Sequence, residues 1–113
     1  MAERSLGLLQ GTVDVLILRT LSWAPMHGYG ISGWINDRSD GALAVEDAAL
    51  YQALHRLERK GLVDSEWGIS DTNRRARFYS ITTAGRKQLR DEVVELRRYV
   101  AALFRVLEPA SAS

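Results

Sequence analysis

The sequence predicts a mainly α, α+β fold, a winged helix-turn-helix with a two-stranded wing and a long C-terminal helix, on three observations. A helix starting near Asp47 and stopping at Gly61 carries one narrow apolar stripe, Leu50, Ala53, Leu54 and Leu57, and is polar on its other side. Two strand-like runs, residues 62–67 and 77–82, follow it and enclose the basic link GISDTNRRA. Beyond them Leu89, Val93, Leu96, Val100, Leu103 and Leu107 step by four and three residues, the heptad spacing of packed helices.

The 113 residues suit one domain. They divide into a winged-helix unit over 1–82, a dimerisation helix over 83–108 that belongs to the same compact body, and a disordered tail over 109–113. A hydrophobic share of 46% against 26% charged is the balance of a chain that folds. The absence of cysteine excludes disulfides, thiolate zinc sites and cysteine nucleophiles, and is compatible with a reducing cytoplasm. Asp14 and Arg19 interrupt the apolar run at 13–21, and no run approaches the roughly 20 apolar residues of a membrane span. A soluble, cytoplasmic protein without an export signal is expected.

In order along the chain, Thr12 is placed to cap a first helix over VDVLILRTLSWA, with Pro25 beyond its end. Val13, Leu16, Ile17, Thr20 and Leu21 fall at helical steps, and Val15 and Leu18 widen the stripe, so most of this helix must be covered. Residues 27–38 read as a second helix with Ile31, Trp34 and Ile35 on one face, although each interior glycine costs about 1 kcal/mol relative to alanine. Ser39, Asp40 and Gly41 make a turn, and residues 43–45 a short strand. Asp47 is positioned to cap the third helix, whose last turn holds Arg59 and Lys60 before Gly61. In the second wing strand Tyr79 and Ile81 share one face, with Phe78, Ser80 and Thr82 on the other. Thr82 or Thr83 caps the last helix, which runs to about Leu107. Its heptad seam is better filled by a second copy of the chain than by the first helix, which has a core to cover.

The net charge of +1 conceals an uneven distribution: residues 55–90 carry nine basic against four acidic side chains, while the flanking segments are net negative. The positive charge can therefore gather on one face for a polyanion. Within it, DTNRRARFY places Arg74, Arg75 and Arg77 at the edge of a strand. Guanidinium groups are permanently charged and fork-shaped, suited to carboxylates and phosphates. The letters of GYGISG at 28–33 match a dinucleotide fingerprint, but the strand, helix, strand unit it requires is missing. The glycines are better read as allowing close helix packing and a tight entry turn. His27 and His55 have no metal-ligand spacing, and no serine sits in a nucleophile elbow, so no enzyme, metal or cofactor is expected. Trp23, Trp34 and Trp67 read as core or edge residues, any of which could line a cavity for an apolar ligand.

This order of elements would lay the polar side of the third helix, from Ala48 to Arg59, in a DNA major groove and set the wing arginines beside phosphates or the adjacent minor groove. The candidate contacts are Tyr51, Gln52, His55 and Arg56 on the helix and Asn73, Arg74, Arg75 and Arg77 on the wing. The candidate dimer interface is Leu89, Val93, Leu96, Val100, Leu103 and Leu107. A winged-helix module that turns the same basic face to an acidic protein is the alternative from another class.

The runs LLQGTVDVLILRTL, HGYGI, LYQALHRLERKGLVDSEWG and NRRARFYSITTAG, in this order and spacing, resemble the PadR family of bacterial transcriptional regulators. The single trailing helix is similar to that of the family's short subgroup. The resemblance implies a homodimeric repressor on a palindromic operator in double-stranded DNA, released by a small hydrophobic or aromatic effector. It also implies DNA contacts at Tyr51 and its neighbours and along the 73–77 wing. Two departures stand out. Gln52 replaces a proline found in many relatives, which frees a side chain able to read a base edge, adenine by preference. The last helix offers Tyr99 and Phe104, with no tryptophan of the kind on which some short relatives stack flat drugs.

Overall fold

A computed structural model describes residues 11–109, so the polar start and residues 110–113 of the expected tail lie outside the described residues. The chain runs α1 (Thr12–Leu21), β1 (Met26–His27), α2 (Gly28–Arg38), α3 (Asp47–Arg59), β2 (Val63–Ile69), β3 (Arg75–Ile81) and α4 (Thr83–Leu107).

α1 is the hub, in contact with α2, α3 and α4. Ile17, Leu18 and Leu21 are buried, and Thr20 is buried among them because its hydroxyl donates to the Leu16 carbonyl at 2.8 Å, which removes the cost of an unpaired polar group. The cap differs from expectation. Gly11, in a left-handed conformation at φ 86°, occupies the cap position, and Thr12 is the first helical residue. Opposite α1, the predicted stripe of α3 is buried in full: Leu50, Ala53, Leu54 and Leu57. Here too the boundary moves by one residue, with Glu46 at the cap position and Asp47 inside the first turn, where its charge still suits the helix dipole.

The strand expected at 43–45 does not form; Leu43 is an isolated bridge. The reason is local. Asn36 donates to the Leu43 carbonyl at 3.2 Å, Ser39 Oγ accepts the Leu43 N–H at 2.9 Å, and Ser32 donates to the Val45 carbonyl at 3.4 Å. Side chains from α2 and the turn after it thus satisfy backbone groups that a strand would need for a ladder. The third strand comes instead from β1, which pairs Met26 with Tyr79 and His27 with Phe78, so the sheet order is β1-β3-β2. The His27 side chain then caps α2, its Nδ1 accepting the Gly30 N–H at 3.0 Å.

The hairpin is longer and its loop shorter than expected. β2 and β3 pair antiparallel from Val63–Ile81 out to Ile69–Arg75, leaving residues 70–74 as the turn. The turn closes through Asn73 N–H to the Ser70 carbonyl and Ser70 N–H to the Arg74 carbonyl, both at 2.8 Å. Asn73 takes a left-handed φ of 62°, which asparagine tolerates better than most residues. As expected, Tyr79 lies on the buried face of β3.

Thr82 caps α4, accepting the Gly85 N–H at 3.0 Å and donating to the Gly61 carbonyl at 2.7 Å. This joint fixes the direction of a 25-residue helix, about 37 Å long at 1.5 Å per residue. Gly85 lies directly against the Leu62 carbonyl, where a Cβ would overlap the backbone. The heptad seam is not exposed along its whole length. Leu89, only 4% exposed, is part of the chain's own core, and Val93 packs partly against it, whereas Leu96 is 42% exposed and the residues after it remain uncovered. The seam is therefore shared between the chain's own core and a free surface that starts at Leu96.

Replacing Gly85 by alanine is expected to destabilise the chain by about 1–3 kcal/mol, because a methyl there must displace rigid backbone. Urea unfolding checks this: the midpoint falls, and an unchanged midpoint would show that α4 can shift off Leu62 at no cost.

Candidate nucleic-acid interface

Burial of the narrow α3 stripe leaves Ala48, Tyr51, Gln52, His55 and Arg59 exposed on the far side. Tyr51 and Glu58 lie on the flank nearer the wing, and Arg56 on the flank nearer α1. Arg56 is engaged there, its Nη2 2.7 Å from Asp14 Oδ1. Tyr51 reaches across to α2 and covers Gly28 so closely that a Cβ at that position would strike the ring. Of the three glycines in the GYGISG run, Gly28 thus serves close packing and Gly30 donates to the His27 cap, while nothing lies within 4 Å of a Cβ built at Gly33. The run opens α2 in a helix-turn-helix.

The register of the hairpin puts Val63, Ser65, Trp67 and Ile69 on the same face as Ile81, Tyr79, Arg77 and Arg75. At its base this face enters the core through Val63 and Tyr79; towards the tip it turns cationic. The Trp67 ring lies under two guanidinium groups, Arg75 at 4.6 Å and Arg77 at 5.7 Å from its centroid. Arg77 Nε donates to Ser65 Oγ at 2.8 Å, and Ser65 Oγ donates onward to Glu58 Oε2 at 2.7 Å. Arg77 Nη2 also approaches that oxygen, at 3.5 Å. The three arginines of the wing are therefore unequal. Arg77 faces an acid of its own chain, whereas Arg74 and Arg75 have no ion-pair partner among the described residues. Asn73 serves the turn geometry with its backbone and remains exposed.

Between the inner face of the wing, the first turns of α2 and the exposed side of α3 lies an open cleft of about 1260 Å³. Tyr29, Trp34, Tyr51, His55 and Trp67 line it together with the wing arginines. Of the eight residues expected to meet DNA, Tyr51, His55, Arg74, Arg75 and Arg77 line this cleft, whereas Gln52, Arg56 and Asn73 do not. Sequence reasoning missed Glu58 and Ser65, and placed Trp67 only as a core, edge or cavity-lining residue. A signal was present: Glu58 lies seven residues after Tyr51 and so shares its flank, and Ser65 and Trp67 alternate on one strand face. Among the described residues no cluster of three potential metal ligands occurs, and no helix is long and apolar enough to cross a membrane.

The chain is similar to known proteins in sequence and fold. Residues 17–91 match the model of the transcriptional regulator PadR-like family. An uncharacterised protein from Lysinibacillus sphaericus is 33% identical over 89 residues, which span 78% of this chain and 81% of that one. A transcriptional regulator from Clostridium thermocellum superposes with a TM-score of 0.78 at 30% identity, covering 85% of this chain and 93% of its own. Bacillus subtilis PadR, solved in complex with operator DNA, has the same fold at a TM-score of 0.65 and 20% identity; the match covers 74% of this chain and 47% of that protein.

Tyr79, at the base of the wing, supplies a pH test of the packing. Burial raises its hydroxyl above the ordinary value of 10.0, with the Arg77 charge opposing and Glu58 and Tyr51 adding to the rise. The folded state thus keeps the phenol neutral where the unfolded chain ionises it. The contribution to stability is complete below pH 10 and is lost as pH rises through the higher folded value. The urea midpoint should fall as pH rises above about 10, and that of Tyr79→Phe should fall less; equal losses in both would show that burial does not hold the phenol neutral.

Proposed function

Because the chain belongs to the PadR-like family of transcriptional regulators, we propose that it is a homodimeric, sequence-specific DNA-binding repressor, released from a palindromic operator by a small hydrophobic or aromatic effector. The observation that carries the reading is the pair Arg74 and Arg75. Both stand exposed on a wing next to the polar side of α3, and neither has an acidic partner among the described residues. Permanent charges held at the rim of a concave face suit phosphates, and phosphate contacts set register without reading sequence. Tyr51, Gln52 and His55, exposed on α3, are the side chains that reach base edges; Gln52 matches the bidentate pattern of adenine. Bacillus subtilis PadR, which has the same fold and was solved in complex with operator DNA, supports a DNA-binding reading here.

Dimerisation follows from the free half of the seam. Leu96, Val100, Leu103 and Leu107 are exposed along α4, with Tyr99, Phe104 and Val106 beside them. Fully burying one such side chain contributes about 1.5–3 kcal/mol, so the stripe favours a second copy that covers it. Two copies joined this way present two third helices to one duplex, the arrangement that a palindrome matches. Aromatic Tyr99 and Phe104 would face any cavity left between paired helices, which is where the effector is assigned.

Substituting Arg74 and Arg75 by alanine should weaken binding to all duplexes and lower the slope of log affinity against log salt by about 0.9 for each phosphate no longer neutralised. Fluorescence anisotropy over a salt series measures this, and an unaltered slope argues against phosphate binding at the wing. Leu96→Asp combined with Leu103→Asp should yield a folded monomer in sedimentation velocity with weakened operator binding. Retention of the dimer would place the interface elsewhere.

A further inference from the structure

We propose that Glu58 and Ser65 form a clamp that holds the wing against the third helix through Arg77, so that Arg77 is a positioning residue and the phosphate-facing cations of the wing are Arg74 and Arg75. The inference rests on the DNA-binding reading above and deepens it. Glu58 is a puzzle on purely electrostatic grounds, for an acid on the wing-side flank of a DNA-reading helix repels the polyanion that the arginines attract. An acid in that place needs a compensating role, and the geometry supplies one.

Glu58 belongs to α3, Ser65 to β2 and Arg77 to β3, so one carboxylate oxygen ties three elements together. Ser65 Oγ is both acceptor, from Arg77 Nε, and donor, to Glu58 Oε2, which uses the hydroxyl in both directions and orients the guanidinium. The Trp67 ring adds a further contact, its centroid 5.7 Å from the Arg77 guanidinium and 4.6 Å from that of Arg75. At 44% and 31% side-chain exposure, the direct Arg77–Glu58 pair at 3.5 Å adds little stability by itself. Its effect is geometric: it restricts the wing to one orientation relative to α3. A hairpin anchored in this way loses less freedom when it meets a duplex, and preorganisation of this kind strengthens binding without adding a contact.

The prediction has a sign that charge alone does not produce. Glu58→Gln removes a negative charge from the DNA-facing side, which by simple electrostatics strengthens binding; the clamp requires the opposite, a loss of about threefold to tenfold. Arg77→Gln should weaken binding to a similar extent and leave the salt slope at the wild-type value, unlike substitutions at Arg74 or Arg75. A readout without DNA separates the clamp from the DNA-binding reading. In limited trypsin digestion of the full-length protein, cleavage after Arg74 and Arg75 reports opening of the wing, and it should accelerate about threefold to tenfold in Glu58→Gln and Ser65→Ala at an unchanged melting temperature. Faster cleavage together with weaker binding supports the clamp. Cleavage at the wild-type rate, binding that strengthens in Glu58→Gln, or a reduced salt slope in Arg77→Gln overturns it. If the wild type retards no duplex, the DNA-binding reading fails and the digestion alone decides the clamp.

Discussion

The packing of the α3 stripe against α1 is the constraint from which the remaining architecture follows. Leu50, Ala53, Leu54 and Leu57 have almost no exposure, and α1 answers with Ile17, Leu18 and Leu21. A stripe that narrow permits only one rotation of the helix about its axis, since turning it by a single residue would expose a leucine and bury a polar side chain. That rotation places Tyr51, Gln52 and His55 outward. It also sends the two flanks to different neighbours, Arg56 to Asp14 on α1 and Glu58 to the wing. Even the hydrogen bond of Thr20 to its own helix serves this packing, because it lets a hydroxyl sit where only apolar contact is available.

Charge is arranged on this frame with unequal effect. The middle third of the chain is strongly basic in sequence, yet Arg56 and Arg77 meet acids within the chain. Partly exposed pairs of this sort contribute modestly to stability, so their importance is orientational. On the wing, what remains outward-facing is a smaller cationic edge, Arg74 and Arg75, held by a tight turn and by the Trp67 ring, with Arg59 exposed on the polar side of α3. A polyanion is met by fewer charges than the residue count suggests, each in a better-defined place.

The last helix shows a division of the same kind. Its heptad pattern is continuous in sequence, but the surroundings are not: the first part lies over α1, and the helix then projects beyond the rest of the body, which gives the chain extents of 61 × 39 × 21 Å. Leu89 completes the chain's own core, and the apolar positions from Leu96 onward are exposed among the described residues. The joint at Thr82 and Gly85 decides how far the helix projects and in which direction, because Gly85 lets its first turn press on the Leu62 carbonyl.

Periodicity and local chemistry in the sequence alone determined the order of the four helices and the wing hairpin, the buried stripe of α3, the two faces of β3, the cap of α4 to within the pair Thr82 and Thr83, and the length of α4. These depend on residues a few positions apart, and short-range geometry is regular. The PadR-like resemblance was legible for the same reason, since its motifs lie within single elements. Tertiary structure alone decided the rest. The segment 43–45 lost its strand to side chains from α2 and the following turn, and β1 formed because β3 offered it a free edge. Whether an arginine faces solvent or an acid depended on partners such as Asp14, 42 positions from Arg56, and Glu58, 19 from Arg77. Such pairs leave no period in the sequence, because they arise only when packing brings distant elements within the reach of a side chain.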